Sequence, residues 1–348
     1  MNAQDEKFMR SALKLAERGL GSVEPNPAVG CVIVKAGQVI GKGYHKKFGG
    51  PHAEVNAIAD CATLGVRPDG ATMYVTLEPC CHVGKTGPCT QAILDARIAR
   101  VVVAVGDPSA HACGKGLTQL RQAGIKVEVG LCEQEARLLN APFFKFASTG
   151  KCWVVLKWAQ SIDGKLAYSD SSVERRWITN ELSRADAHRL RRRSGAVLVG
   201  INTVLADNPM LTPRPSKGKK PIRIVLDDAL RIPLKSRLLR TAKTGPVLVV
   251  TRRAAVEDNP KHAERIRKRG AEILVCEGPG EITDLQGLLD QLSSRGIQQV
   301  LVEGGPRVLA SFLREGLADE ICVYIAPKIL GPVGTEDLGR DVDRTFGD

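Results

Sequence analysis

The residues best suited to chemistry stand in two short segments of the first hundred positions. His52 and Glu54 belong to PHAEVNAI, and Cys80 and Cys89 belong to LEPCCHVGKTGPC further along. Zinc in proteins accepts imidazole nitrogen and thiolate sulfur, and a catalytic zinc ion has three protein ligands and an open fourth position for water. His52, Cys80 and Cys89 would supply three such ligands.

The spacing of His52 and Glu54 restricts where this site can lie. Two residues correspond to about 200° around a helix, so the pair can face one site only in the first turn, which Pro51 is expected to open. Cys80 is predicted to follow a strand, and Cys89 to begin the next helix, where the helix dipole favours a thiolate. Glu54 would then be free to carry protons from water to a leaving group.

The spacing of the cysteines leaves other ligand sets open. Zinc-dependent nucleobase deaminases have the signature H-x-E followed by P-C-x-x-C, whereas Cys89 stands nine positions after Cys80. Cys81 and His82 lie between them and are rival ligands. A structural zinc site with protein ligands only, or unliganded core cysteines, are the alternatives, and both leave Glu54 without a role.

Together with the upstream PNPAVGCVIV, these segments resemble the deaminase half of the bifunctional deaminase–reductase family of riboflavin biosynthesis. The long cysteine spacing, with His, Lys and Thr in the insert, is typical of that family. The resemblance implies one zinc ion per chain with the ligands His52, Cys80 and Cys89. It also implies Glu54 as the proton donor and substrate contacts at Asn26, His82 and Lys85. Without the family, those three would be interpreted as a turn residue, a loop histidine and a solvated lysine.

The elements that must position these residues follow from the apolar periodicity. It predicts a helix over residues 4–20, a hairpin over residues 28–45 and a helix that opens at Pro51. Further strands and helices alternate up to residue 147. Such alternation indicates an α/β sandwich.

A short polar joint, Ser148-Thr149-Gly150, separates this half from a second one. We therefore predict a deaminase domain over residues 1–147 and a second α/β domain over residues 148–348. After the joint, strand-like runs recur as WVVLKWA, GAVLVGI, PIRIVLD, GPVLVVT, AEILVC, QQVLVEGG and EICVYIAP. Open α/β sheets hold ligands beyond the carboxyl ends of their strands.

Parts of the second half suit an anionic ligand. SRADAHRLRRR predicts a basic helix, for which a solvated surface is the alternative. INTVLADNPMLTPR is predicted to be a loop that brings Thr203, Asp207 and Arg214 together beyond a strand. VLVEGGPRVLASFL predicts a strand, a Gly-Gly pair and a helix whose first N–H groups face an anion, with a simple turn as the alternative. No G-x-G-x-x-G sequence occurs in this half, so a Rossmann domain is not supported.

The second half resembles the reductase domain of the same family, which is similar in fold to dihydrofolate reductase and uses NADPH. KWAQSIDGKLA, WIT, TVLADNPMLTPR and VEGG match its recurrent segments. The resemblance implies dinucleotide contacts at Ala159, Trp177, Thr203, Asp207 and the turn that begins at Gly305. It implies substrate contacts at Arg175, Arg191, Leu211, Arg214 and Glu303. The arginines Arg191 and Arg214 would anchor a sugar phosphate.

As a whole, the resemblance implies a bifunctional enzyme with a cytidine-deaminase-like three-layer αβα domain and a dihydrofolate-reductase-like α/β domain. The first would hydrolyse an amino group of 2,5-diamino-6-(5-phosphoribosylamino)pyrimidin-4(3H)-one, and the second would use NADPH to reduce the ribosyl group to ribityl. A nucleic-acid base deaminase of the tRNA type with an accessory domain is the alternative. A non-enzymatic assembly protein stabilised by zinc is a further one.

Composition and charge narrow the choice of partners. The 348 residues carry a formal net charge of +12, which suits a nucleic acid and a small phosphorylated ligand equally. Few aromatic residues and no recognisable RNA-binding motif favour the small pyrimidine. The charged N-terminus is not a signal peptide, and no apolar run is long enough to span a membrane. We therefore expect a cytoplasmic homo-oligomer in which the ten cysteines are thiols or metal ligands.

The C-terminus departs from the family pattern. The family closes its reductase domain with a further strand, whereas this chain ends in the polar segment GTEDLGRDVDRTFGD. We predict no regular structure for that segment. Any stability or dimer contact that the further strand would supply is therefore expected to be missing.

Overall fold

The chain divides after Gly150 into two units in a computed structural model. The structure describes residues 2–82, 87–109, 113–168, 177–215, 220–276, 284–331 and 334–335. The boundary predicted after residue 147 lies inside the last helix of the first unit. That helix ends only at Gly150, whose φ of 70° is left-handed, and the hydroxyls of Ser148 and Thr149 donate to carbonyls one turn back. No helix of the described residues is both long and apolar enough to cross a membrane.

The first unit contains a five-stranded sheet with the strand order β2-β1-β3-β4-β5. Its elements are α1 Ala3–Ala16, β1 Gly30–Lys35, β2 Gln38–Tyr44, α2 Ala53–Thr63, β3 Thr72–Val75, α3 Cys89–Asp95, β4 Arg100–Val103, α4 Lys115–Gln122, β5 Lys126–Val129, α5 Glu133–Leu139 and α6 Ala141–Thr149. Strand β1 is antiparallel to β2 and β3, and the other neighbours are parallel. The predicted hairpin is thus confirmed as β1 and β2.

Two apolar cores cover the two faces of this sheet, because successive strand residues point to opposite sides. Cys31 and Ile33 of β1 pack in one core with apolar residues of α2, α3 and α4. Val32 and Val34 pack in the other with apolar residues of α1, α5 and α6. Helices on both faces give the predicted three-layer αβα arrangement.

Helix α2 lies unusually close to strand β2, and glycines make this possible. A Cβ atom at Gly43 would lie 2.3 Å from the carbonyl oxygen of Ala53 and 2.3 Å from the backbone nitrogen of Ala57. A Cβ atom at Gly41 would lie 2.5 Å from the carbonyl oxygen of Ala57. Real Cβ atoms do not approach so closely, so only glycine at these positions allows the first turns of α2 to pack on β2 at this distance.

The second unit contains a seven-stranded sheet with the strand order β11-β10-β9-β8-β12-β6-β13, in which all neighbours are parallel. Its elements are β6 Trp153–Ser161, β7 Ala167–Tyr168, α7 Glu181–Arg193, β8 Ala196–Gly200, α8 Ile201–Asp207, β9 Ile222–Leu226, α9 Arg237–Arg240, β10 Val247–Thr251, α10 Arg253–Asp258, α11 Pro260–Lys268, β11 Glu272–Val275, α12 Leu285–Ser294, β12 Gln299–Val302, α13 Pro306–Arg314, β13 Glu320–Ala326 and β14 Gly334–Thr335. The seven strand-like runs of the sequence are the seven strands of this sheet.

Both faces of the second sheet are buried, as is usual for parallel sheets. One core joins strand residues to α8, α9 and α11, and the other joins them to α12 and α13. Because all strands run in one direction, their carboxyl ends lie at one edge. The segments after β8 and β12, which are neighbouring strands, therefore meet at that edge.

Two predictions for the second unit differ from the structure. The segment predicted as a loop after β8 begins with helix α8, because Ile201 and Val204 lie one turn apart and are buried in the core. The loop starts only at Asn208, whose left-handed φ of 44° ends the helix. In the C-terminal segment, for which no strand is predicted, Gly334–Thr335 pairs with Ala167–Tyr168. Residues 336–348 lie outside the described residues.

Candidate functional site

Helix α2 begins at the proposed metal site. His52 is its N-cap residue, and Glu54 is the second residue of the helix. Both therefore lie in the first turn, where the sequence requires them to be if they face one site. The Glu54 side chain is almost fully buried, with 3% of the residue exposed, whereas His52 is half-buried.

The three predicted ligand atoms converge. His52 Nδ1 lies 3.2 Å from Cys89 Sγ and 3.4 Å from Cys80 Sγ, and the backbone N–H of Cys89 donates to Cys80 Sγ at 3.4 Å. All three ligand atoms lie within 4.8 Å of one another. Ligands of a tetrahedral zinc ion at its usual bond lengths are separated by roughly 3.5 Å. The donor types and their spacing therefore fit zinc.

Protonation in this cluster follows from its hydrogen bonds and burial. Hydrogen bonds from Cys89 and His52 lower the pKa of the Cys80 thiol, and the bond to Cys80 raises the pKa of His52. Burial raises the pKa of the Glu54 carboxyl to about 7. The positive charge of a bound zinc ion would act on Glu54 in the opposite direction.

The rival ligands Cys81 and His82 are not part of the converging group of His52, Cys80 and Cys89. Cys81 is half-buried and His82 is exposed. Among the residues that the structure describes, His52, Cys80 and Cys89 are the only group with the spacing of a metal site. A fourth protein ligand, which the structural-zinc alternative requires, is not found in that part of the chain. Lys85 lies outside the described residues.

Asn26 reaches this site through a histidine that the sequence analysis missed. The His45 ring lies edge-on to the His52 ring, with 5.3 Å between centroids, and is almost fully buried. Asn26 Nδ2 lies 3.4 Å from His45 Nε2, and His45 Nδ1 lies 3.1 Å from the Pro51 carbonyl oxygen. The position of His45 just after β2, a strand predicted to precede the site helix, was the available signal.

The second unit brings two predicted cofactor residues together at the carboxyl edge of its sheet. Thr203 lies on α8 after β8, and Gly305 is the N-cap residue of α13 after β12. A Cβ atom at Gly305 would lie 3.4 Å from Thr203 Oγ1, an ordinary contact distance, so the two residues are close neighbours. Asp207 is exposed one turn after Thr203, on the same face of α8.

Two predicted substrate residues of this unit form a buried ion pair. Arg191 Nε and Nη2 donate to the two carboxylate oxygens of Glu303 at 2.5 and 2.6 Å. The two side chains are 18% and 7% exposed, so the solvated-surface interpretation of this basic helix is wrong for Arg191. Burial by itself would raise the pKa of Glu303, but the charge and hydrogen bonds of Arg191 outweigh it and lower that pKa.

The loop after α8 lies beside this ion pair. Arg191 Nη1 donates to the Thr212 carbonyl oxygen at 3.5 Å. Leu211 is buried with a left-handed φ of 55°, and Arg214 is exposed. His188, which the sequence analysis missed, has a buried Nδ1 without a hydrogen-bond partner among the described residues. It lies one turn before Arg191 on the same helix face, a spacing that could have indicated it.

The remaining predicted residues of this unit lie at different places. Ala159 is on β6, three residues beyond Leu156, the last residue of that strand to pair with β12. Trp177 is 58% exposed, and the Arg184 guanidinium lies 5.2 Å from its ring centroid. Arg175 lies outside the described residues.

Two family models match the two units. One that is described as the cytidine and deoxycytidylate deaminase zinc-binding region matches residues 2–105. Another, described as the RibD C-terminal domain, matches residues 152–343. The protein is therefore a two-domain enzyme in which a zinc-binding deaminase domain precedes a reductase domain.

Several relatives match this chain over nearly its whole length. A riboflavin biosynthesis protein RibD of Aquifex aeolicus is 47% identical over 346 residues, covering 98% of this chain and 93% of the relative. The structure of Acinetobacter baumannii RibD has a TM-score of 0.81 at 40% identity, covering 96% of this chain and 90% of that one. A Thermotoga maritima diaminohydroxyphosphoribosylaminopyrimidine deaminase/5-amino-6-(5-phosphoribosylamino)uracil reductase has a TM-score of 0.80 at 37% identity, covering 97% and 90%.

The chain belongs to the RibD family of bifunctional deaminases and reductases of riboflavin biosynthesis. The resemblance found in the sequence is thus confirmed for both halves. The alternative of a nucleic-acid base deaminase is not favoured, because the second domain is that of RibD rather than an RNA-binding domain.

Proposed function

We propose that the first domain hydrolyses an amino group of 2,5-diamino-6-(5-phosphoribosylamino)pyrimidin-4(3H)-one, and that the second reduces the ribosyl group of the product to ribityl with NADPH. The observation that carries the first step is the convergence of His52, Cys80 and Cys89 beside the buried Glu54. The Thermotoga maritima relative is described by the same pair of activities.

His52, Cys80 and Cys89 would hold one zinc ion per chain. Zinc bound there would supply a Lewis acid that makes water a stronger acid and a better nucleophile. The first turn of α2 and that of α3 present the histidine and one cysteine, and the N–H of Cys89 orients the sulfur of Cys80. These contacts fix the ligand geometry.

Glu54 would move protons in this site. Its carboxylate accepts a proton from the attacking water and donates it to the departing amino group. Burial raises the pKa of this carboxyl, and the positive charge of a bound zinc ion would oppose that shift. Asn26, His82 and Lys85 would contact the substrate. The Asn26 side chain lies beside His45, and the ring of His45 contacts the ring of the ligand His52.

The second domain would bind NADPH at the carboxyl edge of its sheet, and the bound dinucleotide would supply the hydride that reduces C1′. A phosphate group could accept hydrogen bonds at the N-terminus of α13, where the N-cap residue Gly305 lies beside the Thr203 hydroxyl. Asp207, Ala159 and Trp177 complete the proposed cofactor contacts.

The substrate would bind next to the Arg191–Glu303 ion pair. Glu303 fixes the guanidinium of Arg191 with two hydrogen bonds, and Arg191 in turn holds the loop that carries Leu211 and Arg214. The exposed Arg214 supplies a positive charge for the substrate phosphate. Arg175 is a further proposed contact. A homo-oligomer, the absence of a nucleic-acid partner and a cytoplasmic location stay predictions.

Metal analysis of cysteine variants tests the proposed zinc site. We expect about one zinc ion per wild-type chain, strong loss of zinc and of ammonia release in Cys80→Ser and Cys89→Ser, and no change in Cys81→Ser, the matched control. Full zinc content in Cys80→Ser together with its loss in Cys81→Ser would contradict the ligand assignment.

A further inference from the structure

A buried carboxylate stands two residues before Cys80 and has no part in the chemistry proposed above. Glu78 is only 4% exposed. None of the described lysine, arginine or histidine residues forms an ion pair with it. A buried carboxylate is costly unless hydrogen bonds compensate for the lost hydration, so its partners indicate what it does.

The partners of Glu78 are three backbone N–H groups of one segment. Oε2 accepts from Asp107 N at 3.2 Å and from Gly114 N at 3.0 Å, and Oε1 accepts from Gly116 N at 3.0 Å. This segment leads from the end of β4 into the first turn of α4. The side chain therefore joins the loop that carries Cys80 to the start of another helix.

The backbone of Glu78 and Pro79 is also held in place by neighbouring segments. The N–H of Glu78 donates to the Val105 carbonyl oxygen at 3.0 Å. A Cβ atom at Gly116 would lie 2.0 Å from the Pro79 carbonyl oxygen, so the first turn of α4 packs directly on the residue that links Glu78 to Cys80. Only glycine permits this approach.

The same helix also supports the other side of the site. Thr90 N donates to the Cys80 carbonyl oxygen at 3.1 Å, and Thr90 Oγ1 donates to Gln119 Oε1 of α4 at 2.9 Å. Helix α4 thus contacts Cys80 from upstream through Glu78 and from downstream through α3, which begins at Cys89. Small shifts of α4 or of Glu78 would change the separation of the two sulfur atoms.

We propose that Glu78 is a positioning residue that holds Cys80 at the distance from His52 and Cys89 that zinc requires. The inference rests on the zinc site proposed above. A glutamine at position 78 has one acceptor oxygen, whereas both oxygens of Glu78 accept N–H bonds. The side-chain NH2 group of that glutamine would face at least one backbone N–H donor. Because two donors cannot bond to each other, the Cys80 loop would be displaced.

The test is the zinc affinity of the full-length Glu78→Gln variant, measured by competition with a chromophoric zinc chelator. We expect an affinity about 10-fold weaker than in the wild type, the usual scale for partners that orient metal ligands. Ammonia release should return to within about twofold of the wild-type rate at saturating zinc, because Glu78 does not touch the substrate. Glu78→Asp, which keeps the charge but is one methylene shorter, should also bind zinc more weakly, and it serves if Glu78→Gln does not fold.

Asp5→Asn is the matched control. Asp5 is another buried carboxylate of this domain, bonded to Tyr74 and Arg100 rather than to the Cys80 loop, so its loss should lower the melting temperature and leave zinc affinity unchanged. Wild-type affinity in the folded Glu78 variants, or an equal loss of affinity in Asp5→Asn, would overturn the positioning role. A wild-type chain that binds no zinc would instead overturn the metal site on which it rests.

Discussion

Breaking the Arg191–Glu303 ion pair should destabilise the second domain far more than the loss of a surface ion pair. Exposed ion pairs contribute about 0–1 kcal/mol. Here the side chains are only 18% and 7% exposed and are joined by two hydrogen bonds of 2.5 and 2.6 Å. Arg191→Met would remove the hydrogen-bonded partner charge from the buried Glu303 carboxylate, a change that costs about 3–5 kcal/mol.

The double variant separates the ion pair from general packing. Arg191→Met combined with Glu303→Met removes both charges and fills similar volume, so we expect it to be more stable than either single variant. The free energy of unfolding can be followed by tryptophan fluorescence in urea. All three tryptophans, Trp153, Trp158 and Trp177, belong to the second domain, so the signal reports on that domain alone.

The pH dependence gives an independent check. The pKa of Glu303 in the folded protein lies below its usual value of 4.5, so its contribution to stability is present above that value and is lost as the pH falls through the folded pKa. The stability difference between wild type and Glu303→Met should therefore shrink on acidification. If Arg191→Met lowers the free energy of unfolding at pH 7 by less than about 1 kcal/mol, the argument is refuted, because a loss of that size is typical of a solvated ion pair.

Three further predictions concern both domains. Glu54→Gln should keep its zinc and its fold but release ammonia at least about 100-fold more slowly, the scale of a lost general acid–base group; a near-normal rate would remove Glu54 from the mechanism. The reductase should bind NADPH more tightly than NADH in a fluorescence titration, because Arg and Lys are abundant in this half and can pair with the 2′-phosphate; equal affinities would contradict this. Gly43→Ala should lower the free energy of unfolding of the first domain by about 1–3 kcal/mol, because its Cβ would lie 2.3 Å from α2. Gly87→Ala, whose Cβ would meet nothing within 4 Å, is its control, and equal stability of the two variants would refute the steric argument.

The strands and the group formed by His52, Cys80 and Cys89 could be predicted from the sequence because their signals are local. The strands of the second sheet are predominantly apolar, although β6 contains Lys157 and β9 contains Arg223, and the predicted ligand residues occur in two short motifs. Helix α8 was missed because its buried apolar residues, Ile201 and Val204, span only one turn before the polar loop. A short pattern of that kind does not distinguish a helix from a loop.

The contacts that hold the sites together could not be predicted, because they join residues far apart in the chain. Arg191 and Glu303 are 112 positions apart, so the basic helix alone gives no sign that one arginine is buried. Glu78 and Gly116 are 38 positions apart, and only the folded chain brings them into contact. His45 and His188 were missed for a different reason: each had a local signal, a position just after β2 and a spacing of three residues before Arg191, but neither belongs to a motif.

The most direct test of the two-activity account is to supply the diaminopyrimidine ribotide and follow ammonia release and NADPH oxidation in one reaction. The account predicts that ammonia appears first and without need of NADPH, that NADPH oxidation follows after a lag, and that the two reach equal amounts. With Glu54→Gln, both signals should be lost from this substrate, while pre-deaminated substrate is still reduced. NADPH oxidation without prior ammonia release would contradict the two-activity account. So would a Glu54→Gln variant that no longer oxidises NADPH with the pre-deaminated substrate.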